Sequence, residues 1–166
     1  DRNNYGKYKL IICPEKIVSF SWGNMIVLSQ EDYERNPGEI LLHEQMHLQH
    51  RHTLDLLWME CILIFHWFNP AAWLLMRELR EVHEYEADNG VINNGIDATE
   101  YQLLLVKKSV GTRLYSMACG FNHSKLKNRI TMMLKRRTNN WARLKLLLFV
   151  PVAAGTLYAF ARAQKQ

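Results

Sequence analysis

The chain has 166 residues, of which 48% are hydrophobic, and it carries a formal net charge of +5. That length suits one domain with a core of its own, and the hydrophobic content excludes an intrinsically disordered chain. A basic balance is compatible with nucleic acid or an anionic membrane surface. The sequence has no aromatic stacking motif and no zinc-knuckle spacing with which to recognise bases, so we expect no nucleic-acid partner.

The N-terminal third is predicted to form a small sheet followed by a helix. Short runs rich in β-branched side chains favour strands, and we predict them at residues 8–13, 17–20 and 25–28. Asn36 and Pro37 then provide a helix N-cap and a proline at the first helical position. We expect this first long helix to run to about His52.

The middle of the chain is predicted to be helical. Residues 54–68 are strongly apolar, and Asn69-Pro70 repeats the helix-start signal for a second long helix that should end near Asn93. Further helices are predicted at residues 101–110 and 125–134. The expected fold is therefore α+β and mainly helical, with a small sheet beside the first long helix.

The C-terminal residues 146–161 contain no charged side chain. A transmembrane helix needs about 20 residues, so we predict a short or truncated transmembrane helix, with an amphipathic or core helix as the alternative. The predicted organisation is a main domain at residues 1–143 and a basic juxtamembrane segment with this helix at residues 144–166. If the helix spans a membrane, the Lys/Arg cluster before it places the main domain on the cytoplasmic side.

The first long helix contains the sequence HEQMH, from His43 to His47. Histidines four positions apart lie on one helical face about 5–6 Å from each other, so both can reach one Zn²⁺, and Glu44 projects beside the open position of the metal. Zinc lowers the pKa of bound water toward ~7, and a carboxylate can take its proton. The motif predicts a hydrolase with one zinc and Glu44 as general base. A surface helix with incidental histidines is the alternative.

A third zinc ligand is needed, because catalytic zinc takes three protein ligands and leaves one position open. The second long helix offers several carboxylates between residues 78 and 88. At about 100° per residue, Glu86 lies near the centre of the apolar stripe of this helix, whereas Glu84 lies well off it. Periodicity alone therefore favours Glu86 as the inward-facing carboxylate.

Three motifs in this order resemble the regulatory membrane metallopeptidases of the BlaR/MecR type, which are bacterial antirepressor and signal-transducer proteases. They are HEQMH, WFNPAAW at residues 67–73 and HEYEAD at residues 83–88. The last motif also resembles the Glu-x-x-Ala-Asp element of HtpX-type and CAAX-prenyl membrane proteases. The resemblance covers about residues 17–161. It implies a zincin-like (gluzincin) fold at the bacterial inner membrane, with the peptidase domain facing the cytoplasm.

The resemblance also implies roles for two carboxylates of the second long helix. Glu84 corresponds to the zinc ligand of the wider gluzincin group, and Asp88 to the acceptor that steadies a ligand histidine. This assignment disagrees with the periodicity, which favours Glu86. We expect Glu84 to be the ligand, on the interpretation that this helix is covered on two sides, by the core and by the zinc helix.

Two weaker correspondences concern the substrate. Residues 18–23 resemble the edge strand that receives substrate backbone by strand addition, which makes Ser19, Phe20 and Ser21 candidate substrate-binding residues; an ordinary edge strand is the alternative. His123 is a candidate for stabilising a transition-state oxyanion, although a surface histidine is the better interpretation.

The sequence departs from the resembled family at His52, where relatives commonly carry an acid. A second metal at His50 and His52 is conceivable, but a solvated or hydrogen-bonded helix end fits the usual requirements of a metal site better.

The predicted function is a membrane-associated zinc metalloendopeptidase in signal transduction. Its substrate would be a protein, such as a repressor, another regulator or the chain itself. Membrane lipid is expected to contact the apolar residues 54–68 and 146–161. Two alternatives stay open: a non-catalytic module that keeps zinc for structure or scaffolding, and a housekeeping membrane quality-control protease.

Overall fold

The computed structural model describes residues 2–35, 37–113 and 120–135, and the side chains of residues 6–35, 37–109 and 124–135. The chain divides into two compact units, Asp1–Leu134 and Lys135–Gln166, and the first is described below. The segment predicted at residues 146–161 lies outside the described residues, and the boundary predicted after residue 143 stays a prediction. Within the described ranges, no helix combines the length and the apolar character that crossing a membrane requires.

The sheet has four strands in the order β1-β2-β4-β3. The strands are β1 (Arg2–Tyr5), β2 (Tyr8–Cys13), β3 (Phe20–Trp22) and β4 (Met25–Ser29). The central strands β2 and β4 pair in parallel, and each outer strand pairs antiparallel with its neighbour. Gly6 and Gly23 stand in the two-residue hairpin turns with φ of 59° and 60°, which glycine adopts without steric cost. The strand order places β3 at one edge of the sheet, where its outer side is open.

The predicted strands differ from the observed ones at two places. The strand predicted at residues 17–20 corresponds to β3, which begins only at Phe20, so Ser19 immediately precedes it. The strand β1 was not predicted, because its sequence RNNY has no apolar alternation that would indicate a strand.

Six helices follow the sheet in the described residues, which confirms a mainly helical α+β fold. They are α1 (Gln30–Arg35), α2 (Pro37–Gln49), α3 (His52–Phe65), α4 (Pro70–Asn93), α5 (Ala98–Arg113) and α6 (Gly120–Leu134). The first long helix, α2, ends at Gln49 and not near His52 as predicted. Arg51 adopts a left-handed conformation with φ of 57°, so the chain turns and begins α3 at His52.

Two apolar clusters hold α2 and α4 in place. The first joins the sheet to α2 and α5, and its buried members are Tyr8, Leu10, Ile26, Leu28, Ile40, Leu41, Leu48 and Leu104. The second joins α3 to α4 through Met59, Leu63, Ala72 and Met76. Asn69 caps α4 by accepting a hydrogen bond from the backbone N–H of Ala71. The long helices are thus fixed from opposite sides, α2 by the sheet and α4 by α3.

The helices α2 and α4 approach each other closely at Gly90. A Cβ atom at this position would lie 2.5 Å from Cγ and Sδ of Met46. Because Met46 is itself buried, its side chain has little room to move away. A residue without a side chain is therefore required at this point of α4.

Gly90→Ala is expected to lower the free energy of unfolding. Overpacking a buried contact costs about 1–3 kcal/mol. We expect this cost to exceed the gain in helix propensity of about 1 kcal/mol that alanine brings. Gly38→Ala in α2 is the matched control, because a Cβ there meets no atom within 4 Å. Urea unfolding of both variants and the parent chain measures the difference. Equal stabilisation by both substitutions would contradict the close approach of α2 and α4.

Candidate metal centre

Three side chains from α2 and α4 point at a common centre. Nε2 of His43 and Nε2 of His47 are 3.2 Å apart. The carboxylate of Glu84 reaches both rings, with Oε2 at 3.5 Å from Nε2 of His43 and Oε1 at 3.7 Å from Nε2 of His47. The structure therefore brings together the three residues that the sequence analysis named as metal ligands.

The spacing and chemistry of these atoms fit a zinc ion. With Zn–N distances of about 2.0–2.1 Å and tetrahedral angles, two ligand atoms are about 3.3–3.4 Å apart, close to the observed separations of 3.2–3.7 Å. Two imidazoles and one carboxylate form a donor set that is typical of catalytic zinc, and the fourth position would stay open. The group can hold a metal ion.

The two histidines differ in how their surroundings affect the charged form. Burial opposes the charged form of His43, but hydrogen bonds with Asp88 and Glu84 raise its pKa to about 9. Burial and the charge on His43 lower the pKa of His47 to about 3. The charged form is therefore favoured on His43, near the carboxylates of Asp88 and Glu84, and disfavoured on His47.

Glu84 is suited to the charged state. Its burial favours the neutral acid, but the hydrogen bond with His43 and the positive charge of Arg129 lower its pKa to about 2. Nη1 of Arg129 lies 3.0 Å from Oε2 of Glu84. Glu84 is therefore an ionised carboxylate at neutral pH, the form in which it binds a metal.

The far side of the His43 ring is held by hydrogen bonds. Its Nδ1 is 2.9 Å from the Tyr101 hydroxyl and 3.4 Å from Oδ1 of Asp88. The hydroxyl donates to Oδ1 of Asp88 at 2.8 Å, so its oxygen accepts the N–H of His43. Arg129 donates to both oxygens of Asp88 at 2.8 and 2.6 Å. Asp88, which is 1% exposed, thus reaches His43 mainly through Tyr101.

Sequence reasoning did not assign a role to Tyr101 or Arg129. Both residues fell inside segments predicted as helices, and no spacing rule connects them to HEQMH. The apolar residues of α5 show almost no preference for one face of the helix, so periodicity did not place Tyr101 inward, although its side chain is 1% exposed. Arg129 lies in a segment that resembles the family's sequence after the last loop of the domain, but this resemblance implied no role for it.

Glu44 is buried beside the centre. It is 7% exposed and lines a cavity of about 340 Å³ together with His43, His47, Glu84 and residues 18–22. Burial raises the pKa of Glu44, and the charge of His43 and a hydrogen bond from Ser21 partly offset this increase. A carboxylate with a raised pKa, in a cleft beside candidate metal ligands, is suited to accept and return a proton.

The candidate substrate residues lie along the edge of this cavity. Ser19 is buried, and its hydroxyl donates to Oδ2 of Asp32 at 2.5 Å, while Lys108 donates to the same oxygen at 2.9 Å. Phe20 and Ser21 belong to the edge strand β3, and the side chain of Phe20 is half exposed. The segment that enters β3 is therefore anchored to α1 and α5.

Glu86 lies apart from the convergent centre. Its Oε2 is 3.1 Å from Nε2 of His52, and Nδ1 of His52 is 2.7 Å from Nδ1 of His47. His50, His52 and Glu86 also form a group that could hold a metal ion. His52 is buried and hydrogen-bonded whereas His50 is exposed, and the two predicted alternatives, a second metal and a solvated or hydrogen-bonded helix end, stay predictions. The side chain of His123 lies outside the described residues.

The comparison with known proteins identifies a peptidase family. The family model described as BlaR1 peptidase M56 matches residues 16–133, and the chain belongs to this family. The matched range runs from the segment before β3 almost to the end of α6, and it contains the three convergent residues, Glu44 and their hydrogen-bonding partners.

The regulatory protein BlaR1 of Staphylococcus aureus is similar to part of the chain. The two are 30% identical over 90 residues, which make up 51% of this chain and 15% of that protein. The chain thus matches a small part of the relative's length.

Proposed function

We propose that the chain is the catalytic domain of a membrane-associated zinc metalloendopeptidase. His43, His47 and Glu84 would hold one Zn²⁺, and Glu44 would act as general base and then as proton donor. The observation that carries this proposal is the convergence of two imidazole nitrogens and a carboxylate on one point, beside a buried glutamate.

The chain's own residues account for the protein part of the reaction. Zinc, when bound, would supply Lewis-acid activation of water and of the scissile carbonyl. Glu44 would take the proton of the attacking water and deliver it to the leaving amine, for which its raised pKa is favourable. The open edge of β3 would hold the substrate in an extended conformation by backbone hydrogen bonds.

The substrate would be a protein, and membership of a peptidase family supports this class. A regulator, a repressor or the chain itself is the proposed target, because the similar protein is a regulatory one. A non-catalytic zinc module has no need of a base, so the buried Glu44 speaks against it. A housekeeping protease shares the chemistry, and mapping the native cleavage products would separate it from a regulator.

Contact with lipid at the bacterial inner membrane, with the peptidase domain on the cytoplasmic side, is part of the proposal. Large apolar side chains are exposed along α3 and the turn that follows it. They include Trp58, Ile64, Phe65, Trp67 and Phe68, each at least 69% exposed. Exposed apolar surface of this extent is typical of a binding or membrane surface.

The first prediction from this function concerns the base. Glu44→Gln should keep zinc but reduce peptide hydrolysis by about 10²–10⁴-fold, the usual contribution of a general base. Cleavage of a quenched-fluorescent peptide library by the zinc-loaded protein measures it. Glu39→Gln, at a partly exposed position on the same helix that does not line the cavity, is the control and should keep full activity. Equal activity of Glu44→Gln and the parent protein would refute the mechanism.

The second prediction concerns the ligands. His43→Ala, His47→Ala and Glu84→Ala should each lose zinc, because catalytic zinc depends on three protein ligands. Glu44→Gln should retain one zinc per chain, and Glu86→Ala should still bind zinc when the metal is saturating. Elemental analysis after dialysis at fixed free zinc measures the content. If Glu86→Ala lost zinc and Glu84→Ala kept it, Glu86 would be the ligand and the assignment of Glu84 would be wrong.

The third prediction concerns lipid. Replacing Trp58, Phe65 and Phe68 by Ser should reduce co-flotation with phospholipid vesicles, since less apolar surface enters the bilayer. Ser substitutions at Leu103 and Val106, which are exposed on α5, provide the control and should leave flotation unchanged. Unchanged zinc content verifies that both variants are folded. Equal flotation of both variants would contradict lipid contact through α3.

A further inference from the structure

We infer that His52 and Glu86 form a relay that positions His47 for the metal: Nδ1–H of His47 donates to Nδ1 of His52, and Nε2–H of His52 donates to Glu86. The inference rests on the proposed zinc site. It assigns these two residues as positioning residues, which act on the metal through His47.

The donor and acceptor count fixes the direction of the relay. Nε2 of His52 lies 3.1 Å from a carboxylate oxygen of Glu86, and Nδ1 lies 2.7 Å from Nδ1 of His47. An ionised carboxylate only accepts, so Nε2 of His52 carries the proton, and a neutral imidazole then has its lone pair on Nδ1. That lone pair must accept from Nδ1–H of His47. The lone pair of His47 is left on Nε2, the atom that faces His43 and Glu84.

The chain turn before α3 makes this contact available. In an unbroken α-helix, positions 47 and 52 would point about 140° apart. Arg51 has a left-handed φ of 57°, which breaks the helical path and brings the ring of His52 next to the ring of His47. A non-glycine residue in this conformation is uncommon, and such residues are found where surrounding contacts hold them.

The His52 ring is also fixed in its plane. It is 3% exposed and stacks on the ring of His83, with centroids 4.0 Å apart and planes 6° apart. Nε2 of His83 lies 3.4 Å from Oδ2 of Asp55, so α3 and α4 together hold the stack. A ring confined in this way can transmit its orientation to His47.

A second metal at His50, His52 and Glu86 is the competing interpretation of the same atoms. If Nε2 of His52 bound a metal, its proton would move to Nδ1 and be donated to His47. A neutral His47 would then carry its own proton on Nε2, where it could not bind zinc. The two sites are therefore mutually exclusive, and the convergence of His47 with His43 and Glu84 favours the relay.

The test uses zinc affinity, measured by competition with a chromophoric chelator on the whole chain. His52→Phe keeps an aromatic ring to stack on His83 but removes both nitrogens. It should weaken zinc binding by about 10–100-fold, as is usual when the partner of a ligand histidine is removed. Glu86→Ala should weaken binding in the same direction by less. His50→Ala should have no effect, because His50 stacks on His52 but takes no part in the relay.

A rescue variant distinguishes positioning from packing. In Asp, each carboxylate oxygen is one bond from Cγ, as Nδ1 is in His, so an aspartate at position 52 can accept the His47 proton directly. His52→Asp combined with Glu86→Gln, which removes the repelling charge, should recover most of the affinity lost in His52→Phe. In the metal-free parent protein, nitrogen NMR should show the His47 proton on Nδ1 and a coupling across the hydrogen bond to Nδ1 of His52.

Several results would overturn the relay. They are unchanged affinity in His52→Phe, failure of the double variant to recover affinity, a His47 proton on Nε2 in the metal-free parent, and a second bound zinc that disappears in His50→Ala. The NMR result applies even if His52→Phe does not fold. A parent protein that binds no zinc would refute the proposed function together with the relay, whereas a zinc-binding parent with an insensitive His52→Phe would refute the relay alone.

Discussion

The rest of the structure depends on one constraint, which is that electron-donating atoms of three side chains lie close together at the centre of the domain. Nε2 atoms of His43 and His47 lie 3.2 Å apart and face the carboxylate of Glu84. Groups that only accept repel one another unless a positive charge lies between them. Hydrogen bonds with Asp88 and Glu84 raise the pKa of His43 and favour its charged form, and a divalent cation would supply positive charge between all three groups. The close packing of α2 on α4 at Gly90 brings these groups within reach of one another.

Each histidine of the centre is backed by a bridging side chain and then by a carboxylate of α4. For His43 the bridge is Tyr101 and the carboxylate is Asp88; for His47 the residues are His52 and Glu86. Asp88 also approaches His43 directly, at 3.4 Å from Nδ1. The bridges draw α5 and α3 into the site, so the orientation of each ring depends on the packing of a different helix.

Local spacing predicted the long helices, the two central strands and the pair His43 and His47, whereas Glu84 was selected by the family resemblance against the periodicity of α4. The periodicity and the family resemblance disagreed over the third ligand in α4, and the structure explains why. Glu84 and Asp88 are four residues apart and face α2, whereas His83 and Glu86 are three apart and face His52. The helix has two covered faces, and a single hydrophobic stripe can indicate one of them. Periodicity therefore pointed to Glu86, but its prediction of an inward side chain was wrong, because Glu86 contacts His52 on the other face and is 53% exposed.

The contacts that spacing could not reveal come from α5 and α6, which follow the last motif in the chain. Tyr101 supports His43, and Arg129 contacts both Asp88 and Glu84. Such contacts depend on how separate helices pack, and no periodicity within one helix encodes that. A chain that stopped after α4 would retain all three convergent residues but lose both side chains that neutralise or orient them. Glu84 and Asp88, four residues apart on one face, would then repel each other without a guanidinium between them. The functional unit therefore extends through α6, in agreement with a family match that reaches residue 133.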